Sequence, residues 1–131
     1  MTTNYKILCD ADFIIALFVD TDSNHQKAMR TYNSNSNDSF LILNITIYEV
    51  ATVLSRILPQ SEAIYTLQSV RMRFESPIIF DPKWENSVYE LYNSFSKKNI
   101  SFFDCACMIY AKKVNAKIAS FDNFYPAEIL A

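Results

Sequence analysis

The chain has 131 residues, half of them hydrophobic, and a formal net charge of −2. This length suits one domain with its own core, and the hydrophobic content excludes an intrinsically disordered chain. The acidic balance does not by itself indicate nucleic-acid binding, and the absence of any glycine excludes the phosphate-binding P-loop and the GxGxxG dinucleotide-binding turn.

The hydrophobic pattern predicts strands that alternate with helices. Short apolar runs predict β-strands at residues 5–9, 40–43, 77–80 and 117–121. Apolar residues at helical spacing predict helices at residues 13–19, 23–32, 47–58, 62–74, 83–95 and 103–114. This alternation predicts an α/β fold with a parallel sheet, and we expect residues 1–131 to form a single domain.

The polar run at 33–39 predicts a surface loop that interrupts this pattern. Because the chain has no glycine, asparagine is the residue expected wherever the backbone needs a positive φ. We therefore expect asparagine at the tight turns of this protein.

Two features indicate an intracellular, cytoplasmic protein. The apolar stretch at 13–19 is too short to cross a bilayer, and no signal sequence precedes it. The cysteines are odd in number and form no CxxC pair. Cys105 and Cys107 point away from each other on the predicted helix, so we expect buried thiols in a reducing compartment rather than a shared metal site.

Four acidic residues lie either directly after a predicted strand or in the first turn of a predicted helix. Asp10 follows the first strand, and Asp122 follows the last. Glu49 and Asp104 lie in the first turns of helices that begin at the carboxyl edge of the sheet. Ligands of open α/β sheets bind at this edge, so we expect all four carboxylates to converge there, and Asp12 could join them.

Such a cluster of carboxylates calls for a cation. Two carboxylates 4 Å apart repel each other by about 4 kcal/mol at an effective dielectric constant near 20. Mg²⁺ or Mn²⁺ removes this cost, because both ions prefer oxygen ligands. A metal held in this way suits phosphodiester hydrolysis, since it polarises the phosphate and activates a bound water.

Some of these acids also have a purely structural interpretation. Residues 46–49 (TIYE) and 101–104 (SFFD) both match the capping box, in which the fourth residue bonds back to the helix cap. Asp12 could cap the helix predicted from residue 13. Asp81 precedes a proline as a helix N-cap does, and we leave it out of the site. The two aspartates at strand ends have weaker structural explanations, so their joint placement with the others is what indicates a site.

Four short motifs together resemble the PIN-domain ribonucleases, especially the VapC-type toxins of toxin–antitoxin modules. They cover almost the whole chain in the family's order and spacing, and they are residues 7–17 (ILCDADFIIAL), 45–50 (ITIYEV), 100–111 (ISFFDCACMIYA) and 118–124 (IASFDNF). The resemblance implies a three-layer α/β/α fold with a central parallel sheet. It also implies a Mg²⁺- or Mn²⁺-dependent endoribonuclease that acts on RNA, a homodimer, and a cognate antitoxin partner.

The resemblance assigns roles to individual residues. By its motifs, Asp10, Glu49, Asp104 and Asp122 would be the catalytic, metal-binding acids, with Asp12 as a secondary ligand. Arg56 lies two helical turns after Glu49 and could reach a phosphate of the substrate, although an ordinary surface arginine explains it equally well.

Smaller features accompany this resemblance. The main departures from the family pattern are the missing glycines and the Cys105/Cys107 pair, and Cys107 could lie close to the site because it is one turn from Asp104. His25, the only histidine, occurs where the family often has one before its second helix, but the proposed chemistry needs no imidazole.

Two other functions are compatible with parts of the sequence. The Asp10-Ala-Asp12 segment mimics the DxD nucleophile of haloacid dehalogenase-type phosphatases, but that family's glycine-containing late motif and room for a cap are absent. The chain could instead be a PIN-like module that has lost catalysis and serves in protein contacts. The four retained acids favour an enzyme.

Overall fold

A parallel sheet with β1 at its centre organises the protein. The computed structural model describes residues 5–96, 99–122, 125–126 and 129–131. Within these residues, three strands pair in the order β2-β1-β3: β1 (Lys6–Cys9), β2 (Phe40–Leu41) and β3 (Ala116–Ala119). The α-helices of the described residues are α1 (Ala11–Phe18), α2 (His25–Asn33), α3 (Asn44–Ile57), α4 (Gln60–Arg73), α5 (Glu85–Asn93) and α6 (Phe102–Val114).

Helices cover both faces of the sheet, as the alternation of side chains along β1 requires. Ile7 and Cys9 point into a core that they share with α1 to α4. Leu8 points the other way, into a second core built mainly by α5 and α6. All three side chains are fully buried, which explains why this strand reads as a continuous apolar run. The structure confirms the predicted α/β fold, with helical layers on either side of a parallel sheet.

The predicted strand at 77–80 is wrong in this structure. Ile78 makes one isolated parallel bridge to Leu43, with its backbone bonded to Ile42 and Asn44 at 2.9 Å each. Pro77 has no N–H to donate, so it cannot extend the ladder. The side chain of Asn44 also accepts the Phe80 N–H at 2.8 Å, in place of a strand partner.

Asparagine takes the backbone conformations that glycine usually takes. Within the described part of the chain, the residues with positive φ are Asn99 (φ 69°) and Asn115 (φ 57°). Asn115 ends α6 in a left-handed conformation and turns the chain directly into β3. The expectation for a glycine-free chain is confirmed. The run at 33–39, by contrast, forms the end of α2, a turn and a short 3₁₀ helix (Asn37–Ser39).

None of the helices in the described residues is both long and apolar enough to cross a membrane.

Candidate metal centre

An acidic cavity lies at the carboxyl end of the sheet. In the order β2-β1-β3, the two later strands lie on opposite sides of the central strand β1. In an open α/β sheet, the point where the strand order reverses in this way leaves a crevice beyond the carboxyl ends of the strands. The cavity measures about 400 Å³. The acidic residues that line it are Asp10, Asp12, Asp22, Glu49, Asp104 and Asp122. The structure therefore brings together the four predicted acids and Asp12.

Asp10 is held at the end of β1 by hydrogen bonds to both oxygens of its carboxylate. It is the N-cap of α1, where Oδ1 accepts the Ala11 N–H at 2.8 Å. Oδ2 accepts from the hydroxyls of Ser120 at 3.2 Å and Tyr125 at 3.1 Å. The Cys107 thiol lies 3.9 Å from Oδ1, as its position one turn from the third acid predicts. Asp10 thus has a structural role as a helix cap that its position after a strand did not reveal.

Asp12 ties α1 to the segment that follows β3. Its Oδ2 accepts the Phe121 N–H at 2.9 Å, and both of its oxygens lie 3.1 Å from Ser120 Oγ. The same Oγ accepts the Asp122 N–H at 3.0 Å. The expectation that Asp12 caps a helix is wrong, because α1 begins at Ala11, two residues before the predicted start, and Asp10 caps it. Asp12 is therefore oriented toward the segment that carries Asp122.

Asp104 combines the structural and the functional interpretations of its motif. The Asp104 N–H donates to Ser101 Oγ at 3.1 Å, and the Ser101 N–H donates to Asp104 Oδ2 at 2.9 Å. This is the predicted capping box at the start of α6. Since Asp104 also lines the cavity, capping holds the carboxylate there rather than removing it from the site.

Glu49 has no capping role, contrary to the match of residues 46–49 to a capping box. The helix α3 begins at Asn44, so Glu49 lies in its second turn, and the N-cap, Leu43, makes no side-chain capping bond. Among the described residues, Glu49 Oε1 is buried with no hydrogen-bond partner. A buried polar atom in that condition costs free energy unless something else binds it.

Burial and mutual repulsion raise the pKa values of these carboxyl groups. Burial chiefly raises the pKa of Asp10 to about 7, and the charges of Asp12 and Asp104 add to it. Burial chiefly raises the pKa of Glu49 to about 8, and the charge of Asp10 is the next cause. The pKa values of Asp12 and Asp104 are also raised, first by burial and in part by the charge of Asp122.

The chemistry of the groups that line the cavity indicates which kind of ligand it could bind. Asp10, Glu49, Asp104 and Asp122 each contribute a carboxyl group to its lining. The cavity thus presents carboxylate oxygens, one of them a buried atom without a partner. This donor set fits a hard divalent cation.

The acidic side chains line the cavity but do not meet around a single point in space. In the described part of the chain, no three Asp, Glu, His or Cys side chains stand close enough to enclose an ion by themselves. Mg²⁺ does not require such a cage, because it commonly binds one or two carboxylates and keeps several waters. The arrangement accordingly fits an ion that shares its coordination with water and substrate.

Other predicted residues lie outside this arrangement. Arg56 is exposed and is not among the residues that line the cavity. His25 packs against the end of α1, where its Nδ1 lies 2.7 Å from the Ala16 carbonyl. Asp81 caps the 3₁₀ helix Pro82–Trp84 through a 3.0 Å bond from the Lys83 N–H, as the proline after it predicts.

Three residues of the site were not predicted from the sequence. Ser120 bridges Asp10 and Asp12, and Tyr125 bonds to Asp10 from beyond β3. Asp22, from the turn before α2, also lines the cavity. A polar residue two positions before Asp122 could have indicated Ser120, but nothing in the sequence separates Tyr125 from the many core aromatics.

Comparisons with known proteins identify the fold and the family. The family model described as "PIN domain" matches residues 7–125. No curated protein sequence matches the chain significantly. VapC20 of Mycobacterium tuberculosis, described as a sarcin-ricin loop cleaving toxin, has a similar structure with a TM-score of 0.81, at 20% identity over 96% of this chain and 97% of that one.

Two further structures share this fold. FitAcB of Neisseria gonorrhoeae has a TM-score of 0.68, at 19% identity over 88% of this chain and 87% of that one. FitAB bound to a DNA fragment has a TM-score of 0.67, at 18% identity over 88% of this chain and 85% of that one. At such identities these structures establish a common fold and nothing finer.

Proposed function

The chain belongs to the PIN-domain family, and from this membership and the acidic cavity we propose that it is a Mg²⁺- or Mn²⁺-dependent endoribonuclease. Members of the family typically bind a divalent metal and are typically nucleases. The membership gives no support to the phosphatase alternative, which rested on two aspartates of one motif.

The observation that carries the proposal is the convergence of carboxyl groups on one cavity. Asp10, Glu49, Asp104 and Asp122 come from four separate segments and line one cavity. Glu49 Oε1 is buried there without a partner among the described residues. A core that served only for folding would not gather these charges, because isolated buried charges are costly.

Each residue has a distinct part in the proposed mechanism. Asp10, Glu49, Asp104 and Asp122 would hold the metal, in part through its bound waters, with Asp12 as a secondary ligand. When bound, the metal would polarise the scissile phosphate, lower the pKa of a water and stabilise the departing oxygen. Hydrogen bonds preorganise the chain's own groups, since Ala11 fixes Asp10, Ser101 fixes Asp104, and Ser120 orients Asp12.

RNA and a partner protein complete the proposed role. RNA as the substrate is supported by the similar VapC20, a toxin described as cleaving the sarcin-ricin loop. Arg56, exposed on α3, is proposed to contact the RNA backbone outside the cavity. The similar FitAB structure supports a bound antitoxin, so we propose a cytoplasmic toxin of a type II toxin–antitoxin pair that forms a homodimer.

Substitution of two acids tests the catalytic proposal. We expect Asp10→Asn and Asp104→Asn each to abolish cleavage of RNA in Mg²⁺ or Mn²⁺ while circular dichroism shows an unchanged fold. Asp38→Asn, which changes an exposed aspartate outside the cavity, is the matched control and should cleave like the parent. If both cavity variants also cleave like the parent, the proposed centre is wrong.

Calorimetry distinguishes the enzyme from a PIN-like module that serves only in protein contacts. The proposed enzyme binds Mn²⁺ in a titration of the parent protein, and EDTA abolishes its activity. A parent protein that binds no Mn²⁺ at millimolar concentration, and cleaves no RNA, would support the non-catalytic module instead.

A further inference from the structure

We propose that Tyr125 is a positioning residue that fixes the Asp10 carboxylate for metal binding. The proposal rests on the proposed function, because it assigns Tyr125 a role in the same centre. Tyr125 does not line the cavity. It would therefore act through Asp10 rather than on the metal or the substrate.

The Tyr125 hydroxyl joins two of the segments that carry acids. Tyr125 lies beyond β3 and is 3% exposed. Its hydroxyl is 3.1 Å from Asp10 Oδ2 and 3.3 Å from the Asp104 backbone carbonyl. One side chain thus connects the end of β1 to the first turn of α6, where the first and third acids stand.

The chemistry of the acceptors fixes the direction of these bonds. A carbonyl oxygen and an ionised carboxylate can only accept, so the phenol must be the donor. Its single proton is shared between Asp10 Oδ2 and the Asp104 carbonyl, and the carboxylate is the nearer and the charged acceptor. A donor to an ionised carboxylate stabilises the charged form, which is the form that binds a metal. The donor also restricts rotation of the Asp10 side chain, a residue that is 4% exposed.

Ser120 cannot provide this bond on its own. Its hydroxyl lies 3.2 Å from Asp10 Oδ2 but also 3.1 Å from each oxygen of Asp12. A serine hydroxyl carries one proton, so it donates to one carboxylate at a time. Tyr125 supplies Oδ2 with a second donor, and the Asp104 carbonyl that shares its hydroxyl, at 3.3 Å, is neutral and accepts less strongly than the ionised carboxylate of Asp10 at 3.1 Å.

The test compares Tyr125→Phe with Tyr110→Phe. Tyr110 is an equally buried tyrosine, 4% exposed, whose hydroxyl accepts the Asp81 N–H at 2.6 Å, away from the cavity. Removing an outer-shell partner of a ligand typically costs about 10- to 100-fold in metal affinity. We expect Tyr125→Phe to weaken Mn²⁺ binding by that factor in calorimetry, and to restore cleavage in part when Mn²⁺ is raised, whereas Tyr110→Phe keeps the parent's affinity.

The outcomes separate this role from the proposed function. If the parent binds Mn²⁺ and cleaves RNA, and Tyr125→Phe has the parent's affinity, the role of Tyr125 is refuted and the nuclease stands. If the parent binds no Mn²⁺, both proposals fall.

A spectroscopic measurement covers the case in which Tyr125→Phe does not fold. In the full chain, 3-fluorotyrosine is incorporated at position 125 or, as a control, at position 110, and Mg²⁺ is titrated while the ¹⁹F resonance is recorded. We expect the resonance at 125 to shift with Mg²⁺ and the one at 110 to stay in place. An unchanged resonance at 125 in saturating Mg²⁺ overturns the proposal.

Discussion

Replacing Asp10 with asparagine should change how the stability of the metal-free protein depends on pH. The pKa of Asp10 is raised from 3.8 to about 7, chiefly by burial. The unfolded chain therefore releases this proton near pH 4, while the folded chain keeps it until about pH 7. Between these values the folded state binds more protons, so its stability falls as the pH rises.

The size of the effect follows from the shift. One pKa unit corresponds to 1.36 kcal/mol, so raising the pH from 5 to 7 costs the parent at most about 3 kcal/mol through Asp10. Asparagine has no charge to bury, so the variant should not lose this stability. The substitution also removes the largest neighbouring charge acting on Glu49, whose pKa is raised to about 8. Ionising Glu49 therefore costs the variant less stability than the parent, which further increases the difference in stability between the two at high pH.

Urea unfolding in EDTA tests this prediction by measuring the free energy of unfolding. The fluorescence of the single tryptophan, Trp84, is the signal. The free energy of unfolding of Asp10→Asn minus that of the parent should rise between pH 5 and pH 8. The exposed control Asp38→Asn should show a constant difference. A difference for Asp10→Asn that is also constant over this range would refute the argument that burial of this carboxyl group opposes its ionisation.

Two further predictions concern Glu49 and Asn115. Glu49→Gln should lose most of the rise in melting temperature that Mn²⁺ gives the parent at pH 8, because ligand binding stabilises a fold only through its affinity for that fold. The exposed Glu62→Gln should keep the whole rise in scanning calorimetry, and equal rises in both variants would exclude Glu49 as a ligand. Asn115→Ala should unfold at a lower urea concentration than Asn115→Gly, because a left-handed backbone costs a residue with a Cβ roughly 1–2 kcal/mol. Equal midpoints of urea unfolding would show that this helix end does not need a left-handed residue.

Much of the fold could be predicted from local signals. All six predicted helices occur, and no end is displaced by more than three residues. Helical spacing of apolar residues is repeated over several turns, so a shift of one residue does not hide it. The error at residues 77–80 has a different origin, since Ile78 has the apolar neighbours of a strand but pairs at a single bridge.

The structural roles of the acidic residues were harder to predict than the helices. The capping box at 101–104 formed as its pattern predicts, whereas the match at 46–49 did not, because α3 starts at Asn44. Both four-residue patterns look equivalent in the sequence. Only the position of the helix start, which depends on how α3 packs against the sheet, decides which serine or threonine becomes a cap.

The α/β class, the resemblance to the family and the acids at the sheet's edge could be predicted from the sequence, because these depend on periodicity and on the order of short motifs. Other features appear only in the folded chain. Ser120 and Tyr125 donate hydrogen bonds to Asp10, Glu49 Oε1 is buried without a partner among the described residues, and Arg56 lies outside the cavity lining. Hydrogen bonds between residues more than a hundred positions apart leave no periodic signal. They arise only when the parallel sheet sets β1 beside β3 and brings the two strand ends together.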